Sequence, residues 1–302
     1  MAAIELADVT KRFGDTVALK QLSLSVEQGE IYGFLGPNGA GKSTTINLLL
    51  DFIRPTAGTV RVLGHDAQQE SLTVRQNTGV LPEGFSVYNR LTGRKHVEFA
   101  IESKNATDDP DTLLERVGLA GDGDRKAGGY SKGMRQRLAL AMAIAGSPDL
   151  LILDEPSTGL DPNGAREMRR IITEERDRGA TVFFSSHILE QVEAICDRVG
   201  ILRQGELVAE DTLDALRDET DAGTTLVITV GALPDDALAA VRDLSGVLDV
   251  THDEDTLTVS CEDGSKTRVL TTLENNGATV SDFSTKEASL EDLFASYTEV
   301  SA

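Results

Sequence analysis

The 302-residue chain has no tryptophan and only two cysteines, and no apolar run approaches the roughly 18 residues of a membrane span. Without such a run it reads as a globular protein with no membrane-crossing helix. Cys196 and Cys261 lie far apart without metal-site spacing, so buried thiols are expected. Residues 1–9 carry Glu5 and Asp8 and lack the basic start and apolar centre of a signal peptide, so the expected location is cytoplasmic. Positive charge is scarce too. Against 50 Asp and Glu stand 29 Lys and Arg, a formal net charge of -21. Such a surface repels phosphate backbones and anionic headgroups, which disfavours generic electrostatic binding to either, and no nucleic-acid partner is expected. The acidic surplus, with lysine rare, suits a high-salt cytoplasm, where charges are screened within roughly 3 Å at 1 M salt. Removing salt is therefore expected to unfold the protein, seen as a lowered melting temperature in dilute buffer; an unchanged melting temperature with full activity contradicts this.

What is present begins with Gly36-Pro37-Asn38-Gly39-Ala40-Gly41-Lys42-Ser43-Thr44. The apolar run 31–35 ahead of it reads as a buried strand, and 46–50 as the first turns of a helix. Glycines 36, 39 and 41 let successive backbone N–H groups converge on one anion, and the following helix points its positive end at the same place. Lys42 is placed to reach β- and γ-phosphates, and the Ser43 hydroxyl to ligate Mg²⁺. A plain glycine turn is the alternative, but a chance match in a chain this long has odds on the order of 1 in 100. The strand-loop-helix setting selects a site for a nucleoside triphosphate.

A second constellation is Leu150-Leu151-Ile152-Leu153-Asp154-Glu155. Four apolar residues without alternation indicate a strand buried on both faces and hence parallel. Two carboxylates at its end fall where open α/β sheets bind ligands. Asp154 is the candidate Mg²⁺ residue, and Glu155 the candidate acceptor of a proton from the attacking water. The apolar strand 180–186 ends at His187, expected to face the same phosphates. Phe13, on the expected loop between two short N-terminal strands, can stack on a base, although taken alone a core residue is the commoner case. Ser131-Lys132-Gly133 opens a helix; in isolation it is a capped helix start that can also serve a phosphate.

Over residues 1–215 these motifs, in this order and spacing, resemble the ATP-binding subunit of an ABC transporter. The resemblance matches residues 36–44 to Walker A and 150–155 to Walker B with its following glutamate. Residues 131–136 match the signature, 159–161 the D-loop, His187 the switch histidine and Phe13 the adenine-stacking aromatic. It implies an α/β P-loop NTPase core with an antiparallel β subdomain and a helical signature subdomain. It further implies a head-to-tail homodimer holding two ATP, with Ser131 and Gly133 acting on the partner's nucleotide. Glu155 would be the general base, His187 would hold γ-phosphate and water, and Asp161 would couple the two sites. The cycle would drive a separate membrane permease, placing the subunit on the inner face of the cell membrane. Residues 81–94 are similar to those of drug-resistance-type exporters, which favours export.

Two positions depart from the family pattern. Glu83 stands where a glutamine usually approaches Mg²⁺ and can itself ligate the metal, and Lys132 stands in place of a signature glycine, adding a cation. Rival readings are an ABC ATPase of ribosomes or DNA, disfavoured by the single cassette and the lack of heptads or a basic patch. A nucleotide-gated module without turnover is disfavoured by Glu155 and His187.

The tail, expected as a second domain over 216–302, differs in composition. Residues 221–302 contain 16 acidic and 4 basic residues, more than half of the total net charge. Strand and helix patterns alternate as strand 225–230, helix 234–244, strands 247–251 and 256–261, helix 264–275, strand 278–284 and helix 290–297. That is the split βαβ order of a small ferredoxin-like α+β domain. Its end, 288–294, resembles the accessory domain of the same exporter ATPases, with Ser289 and Asp292 expected to cap the last helix.

Overall fold

The computed structural model describes residues 2–219, 224–253 and 255–286. It divides into two compact units, one up to Thr212 and one from Leu213.

The first unit opens with β1 (Ala2–Phe13) and β2 (Thr16–Glu27), paired antiparallel around the turn at Gly14 and Asp15. The alternation predicts three short strands here. Bulges absorb the irregular stretches instead, with Asp8 and Gln21 in left-handed backbone (φ 51° and 49°), so pairing continues through the polar breaks. Phe13 is consequently the last residue of a strand and not part of a loop, and at 49% exposed it is not a core residue. The fully buried β3 (Ile31–Leu35) runs through the glycine loop into α1 (Lys42–Leu49). β4 (Ala57–Val62) and β5 (His65–Asp66) complete an antiparallel sheet ordered β2-β1-β4-β5. α2 (Ser71–Asn77) is too short to show helical spacing in the sequence, and β6 (Thr78–Leu81) follows it, ending before Pro82.

A helical arm comprises α3 (Gly93–Ser103), α4 (Pro110–Arg116) and α5 (Lys132–Ile144). Each begins at a residue whose side-chain oxygen accepts from the first turn: Thr92 from Lys95 N–H, Asp109 from Thr112 N–H and Ser131 from Met134 N–H. The chain returns through β7 (Leu150–Asp154), α6 (Pro162–Asp177), β8 (Thr181–Ser186) and α7 (Leu189–Glu193) to the hairpin of β9 (Arg198–Arg203) and β10 (Glu206–Asp211). The sequence after His187 predicts a helix over 188–196, and α7 is shorter. Asp197 draws the chain onto β3, accepting from Ile31 N–H at 2.8 Å and donating its own N–H to the Ile31 carbonyl.

These strands form a sheet ordered β10-β9-β3-β8-β7-β6, parallel except for β10. β7 is buried at every residue, as its unbroken apolar run requires. β8 lies between β3 and β7, so the carboxyl ends of all three open on one edge. That edge carries the glycine loop, Asp154-Glu155 and His187. Beneath it Phe34 packs on Phe183, ring centroids 5.1 Å apart, within a core of Leu and Val side chains.

The second unit contains α8 (Leu213–Glu219), β11 (Thr224–Val230), α9 (Asp235–Arg242), β12 (Val247–Asp253), β13 (Thr256–Cys261), α10 (Lys266–Asn275) and β14 (Val280–Lys286). Its sheet is ordered β12-β13-β11-β14 with every neighbour antiparallel, the ferredoxin-like arrangement. Leu226, Ile228, Leu257 and Val259 face Val241, Val269 and Leu273 in its core. The helix expected over 290–297, with Ser289 and Asp292, lies outside the described residues. Cys261 is buried and Cys196 half-buried, and burial raises the thiol pKa of Cys196.

Candidate functional site

The glycine loop is shaped by two close approaches. Gly41 has φ 118°, and a Cβ there would meet the Leu19 side chain at 2.7 Å and the Ala18 carbonyl at 3.0 Å. At Gly36 a Cβ would fall 2.4 Å from the Leu202 carbonyl. The loop therefore lies against β2 and β9 with no room for a side chain at 36 or 41, and with the start of α1 it lines one cavity. That cavity, about 300 Å³, is lined by Ala18, Pro37, Asn38, Gly39, Gly41, Lys42, Ser43, Thr44, Glu83, Asp154 and Glu155.

Lys42 is buried, and its Nζ donates to the Gly36 carbonyl at 2.6 Å and stands 4.0 Å from Glu155 Oε1. Glu155 Oε2 is 2.8 Å from His187 Nδ1. One carboxylate oxygen is thus turned toward a fixed cation and the other toward an imidazole that is half exposed. A carboxylate so placed can take a proton from a water at the phosphate end and is kept there by both neighbours. Asp154 is also buried, and its Oδ1 accepts from the Ser185 hydroxyl across the β7–β8 pair. Glu83 borders both this cavity and a neighbouring one of about 220 Å³, which shares Ser43 and Asp154.

Ala40 is buried under the loop, its N–H held by the Pro37 carbonyl. Seven of the residues singled out in the sequence do not line the cavity: Gly36 and Ala40 within the loop itself, His187, which touches Glu155, and Phe13, Ser131, Gly133 and Asp161. Phe13 lies beneath the Lys11 ammonium, 4.8 Å from Nζ to the ring centroid. Ser131 caps α5, and Asp161 caps α6 by accepting from Gly164 N–H at 2.7 Å. The stem of Lys132 lies over Gly159. Ser185 was not singled out; only pairing between strands distant in sequence sets it beside Asp154.

Residues 19–158 match the family model described as ABC transporter, and residues 212–298 that of the ATP-binding protein DrrA1-3-like, C-terminal domain. The daunorubicin resistance ATP-binding protein DrrA3 of Streptomyces coeruleorubidus is 34% identical over 299 residues, 97% of this chain and 94% of that protein. The chain belongs to the ABC transporter family. Within that family it is an ATP-binding subunit, an ATPase. The bacitracin transport ATP-binding protein BcrA of Bacillus licheniformis is 41% identical over 220 residues, 71% of each chain. Among solved structures, an ATP-binding subunit of an ABC transporter superposes with TM-score 0.67 and 29% identity over 72% of this chain and 92% of that one. A dimeric ATP-binding cassette in a post-hydrolysis state with ADP and Pi gives TM-score 0.64 and 25% identity over 70% and 98%. In this ABC subunit no helix among the described residues is long and apolar enough to cross a membrane.

Proposed function

We propose that two copies of this subunit clasp two ATP head to tail, hydrolyse them, and thereby power export through a separate membrane permease. The observation that carries the reading is that the glycine loop, Lys42 and Glu155 line one cavity, with His187 2.8 Å from Glu155, yet Ser131 and Gly133 lie outside that cavity on the helical arm. A site with its own base and an absent signature is incomplete in one chain and is completed by another. Phe13 supplies an exposed aromatic face for adenine, and Asp161, at the end of the loop that follows Glu155, links the two sites.

Hard oxygen donors at Ser43, Asp154 and Glu83 suit Mg²⁺, with phosphate oxygens and water completing its coordination. When bound, that ion neutralises charge on the phosphate oxygens. Among the described residues no group of three or more His, Cys, Asp or Glu side chains forms a metal site by itself, in keeping with an ion held jointly with the nucleotide. Lys42 balances the phosphate charge. Glu155 accepts the proton of the attacking water, and His187 orients that carboxylate and the γ-phosphate. The pair gives turnover the preference over a binding module that only gates.

The names of relatives support export: daunorubicin resistance, linearmycin resistance and Nod factor export. An apolar groove of about 280 Å³ lined by Phe85, Tyr88, Leu91, Phe99 and Met142 begins two residues after Glu83. It is suited to an apolar segment of the permease, and movement there reaches Glu83 along the chain. The subunit then sits peripherally on the inner face of the membrane.

The test is Ser131→Arg. ATP binding to the single subunit should stay unchanged by calorimetry, while the magnesium-ATP-dependent dimer disappears in light scattering and hydrolysis falls about 100-fold, the scale of one lost transition-state donor. Dimers that persist in this variant would sink the two-subunit reading.

A further inference from the structure

Three consecutive side chains in the first turns of α5 each donate to a carbonyl of a different segment. Arg135 Nη2 reaches Gly128 at 3.3 Å and Arg137 Nη1 reaches Gly118 at 3.4 Å, both within the helical arm. Gln136 points the other way. Its Nε2 donates to the carbonyl of Pro156, the residue that follows Glu155, at 2.6 Å. The contacts around it share that direction. The stem of Lys132 lies against Gly159, where a Cβ would come within 2.4 Å of its Cδ, and Gly133 faces the Leu160 side chain, 3.5 Å from where its Cβ would be. The start of α5 is therefore seated on the loop that leaves Glu155.

That loop has a demanding geometry. Glu155 has φ 49°, the left-handed region that a side-chained residue keeps only where its surroundings enforce it. On one side enforcement comes from its own N–H, which donates to the Ser185 carbonyl at 3.1 Å. On the other side stands Pro156, which has no N–H to offer, so the loop can be held at this residue only through its carbonyl. Gln136 holds that carbonyl.

We infer that Gln136 is a positioning residue for hydrolysis: its amide fixes the backbone that aims Glu155 between Lys42 and His187, and it joins the signature helix to the base of the same subunit. The first half stands on one chain alone. The second half rests on the two-subunit reading, in which Ser131 and Gly133 engage the partner's nucleotide. Capture of that nucleotide moves α5, and the Gln136–Pro156 bond carries the movement to Glu155 at the subunit's own nucleotide.

Two variants test it. Gln136→Leu keeps the bulk and removes the donor. It should lower kcat by about 30- to 100-fold, the scale of a misplacement near 1 Å, with KM for ATP and the melting temperature little changed. Gln136→Glu keeps the shape and replaces the donor by an acceptor facing a carbonyl. Its deficit relative to the wild type should shrink as pH falls from about 8 to about 6, because a protonated carboxyl donates again. A kcat within about twofold of wild type in Gln136→Leu, or a raised KM with kcat kept, overturns the proposal. So does a Gln136→Glu deficit that does not change with pH, a measurement that remains possible even if the leucine variant fails to fold. Trapping of ATP dimers in the Glu155→Gln background, with and without Gln136→Leu, reads the two-subunit arrangement separately. Dimers absent from both would remove that arrangement while leaving the kcat result to judge Gln136.

Discussion

Glu155→Gln is expected to lower ATP hydrolysis by about 1,000-fold, within the range a general base contributes, while ATP-bound dimers accumulate. The amide has the same shape, so the backbone held between Ser185 and Pro156 need not move. What is lost is the proton acceptor. Lys42 and the glycine loop are untouched, so nucleotide is still bound, and closure around it is no longer undone by hydrolysis. Phosphate release measures the first effect, and light scattering with magnesium-ATP measures the second. Turnover at the wild-type rate in this variant would remove Glu155 from the mechanism.

Lys42→Ala is expected to act earlier, weakening ATP binding by roughly 10- to 100-fold, the loss of charge-assisted hydrogen bonds to phosphate at about 1.5–3 kcal/mol. Lys42 is buried with its Nζ on the Gly36 carbonyl, and among the described residues it is the one lysine or arginine lining the cavity, so none beside it takes its place. The same substitution leaves Glu155 Oε1 without the ammonium 4.0 Å away, so residual hydrolysis should fall as well. Equilibrium binding of ATP, with circular dichroism to verify folding, separates this variant from Glu155→Gln: one loses binding, the other only turnover. An ATP affinity equal to that of the wild type contradicts the role assigned to Lys42.

The contrast between these two residues and Gln136 shows where chemistry could be read directly. Lys42 lies in a contiguous motif whose glycines act through their own backbone and whose lysine and hydroxyls follow within the next three positions, so the spacing carries its meaning without a distant segment. Asp154 and Glu155 are marked by the unbroken apolar run before them, which only a strand covered on both faces explains. Gln136 falls within the residues that match the signature, but nothing in the sequence marks what its amide touches. An amide early in a helix is ordinary until the Pro156 carbonyl, twenty positions on, is found within hydrogen-bond reach. Ser185 is hidden for the same reason, since its contact with Asp154 exists only through strand pairing.

Local patterns misled where tertiary bonds override them. Asp8 and Gln21 look like strand breaks, yet β1 and β2 continue through them because bulges cost less than abandoning the hydrogen bonds on either side. The stretch 188–196 reads as one helix, but the bonds of Asp197 to β3 end it early. Phe13 reads as core by type and stays at the surface because it sits at the tip of a hairpin.

Residue order by itself determined the glycine loop, the carboxylate pair, the cap of α5 and the strand and helix order of the second unit over 224–286, since each depends on backbone chemistry or periodicity within a short window. Tertiary structure alone decided that β8 inserts between β3 and β7, so that Lys42, Glu155 and His187 meet at one edge while Ser131 and Gly133 stay outside the cavity. The physical reason is that strand order and side-chain reach across a sheet are set by burial of the whole apolar surface, to which every segment contributes and which no single segment encodes.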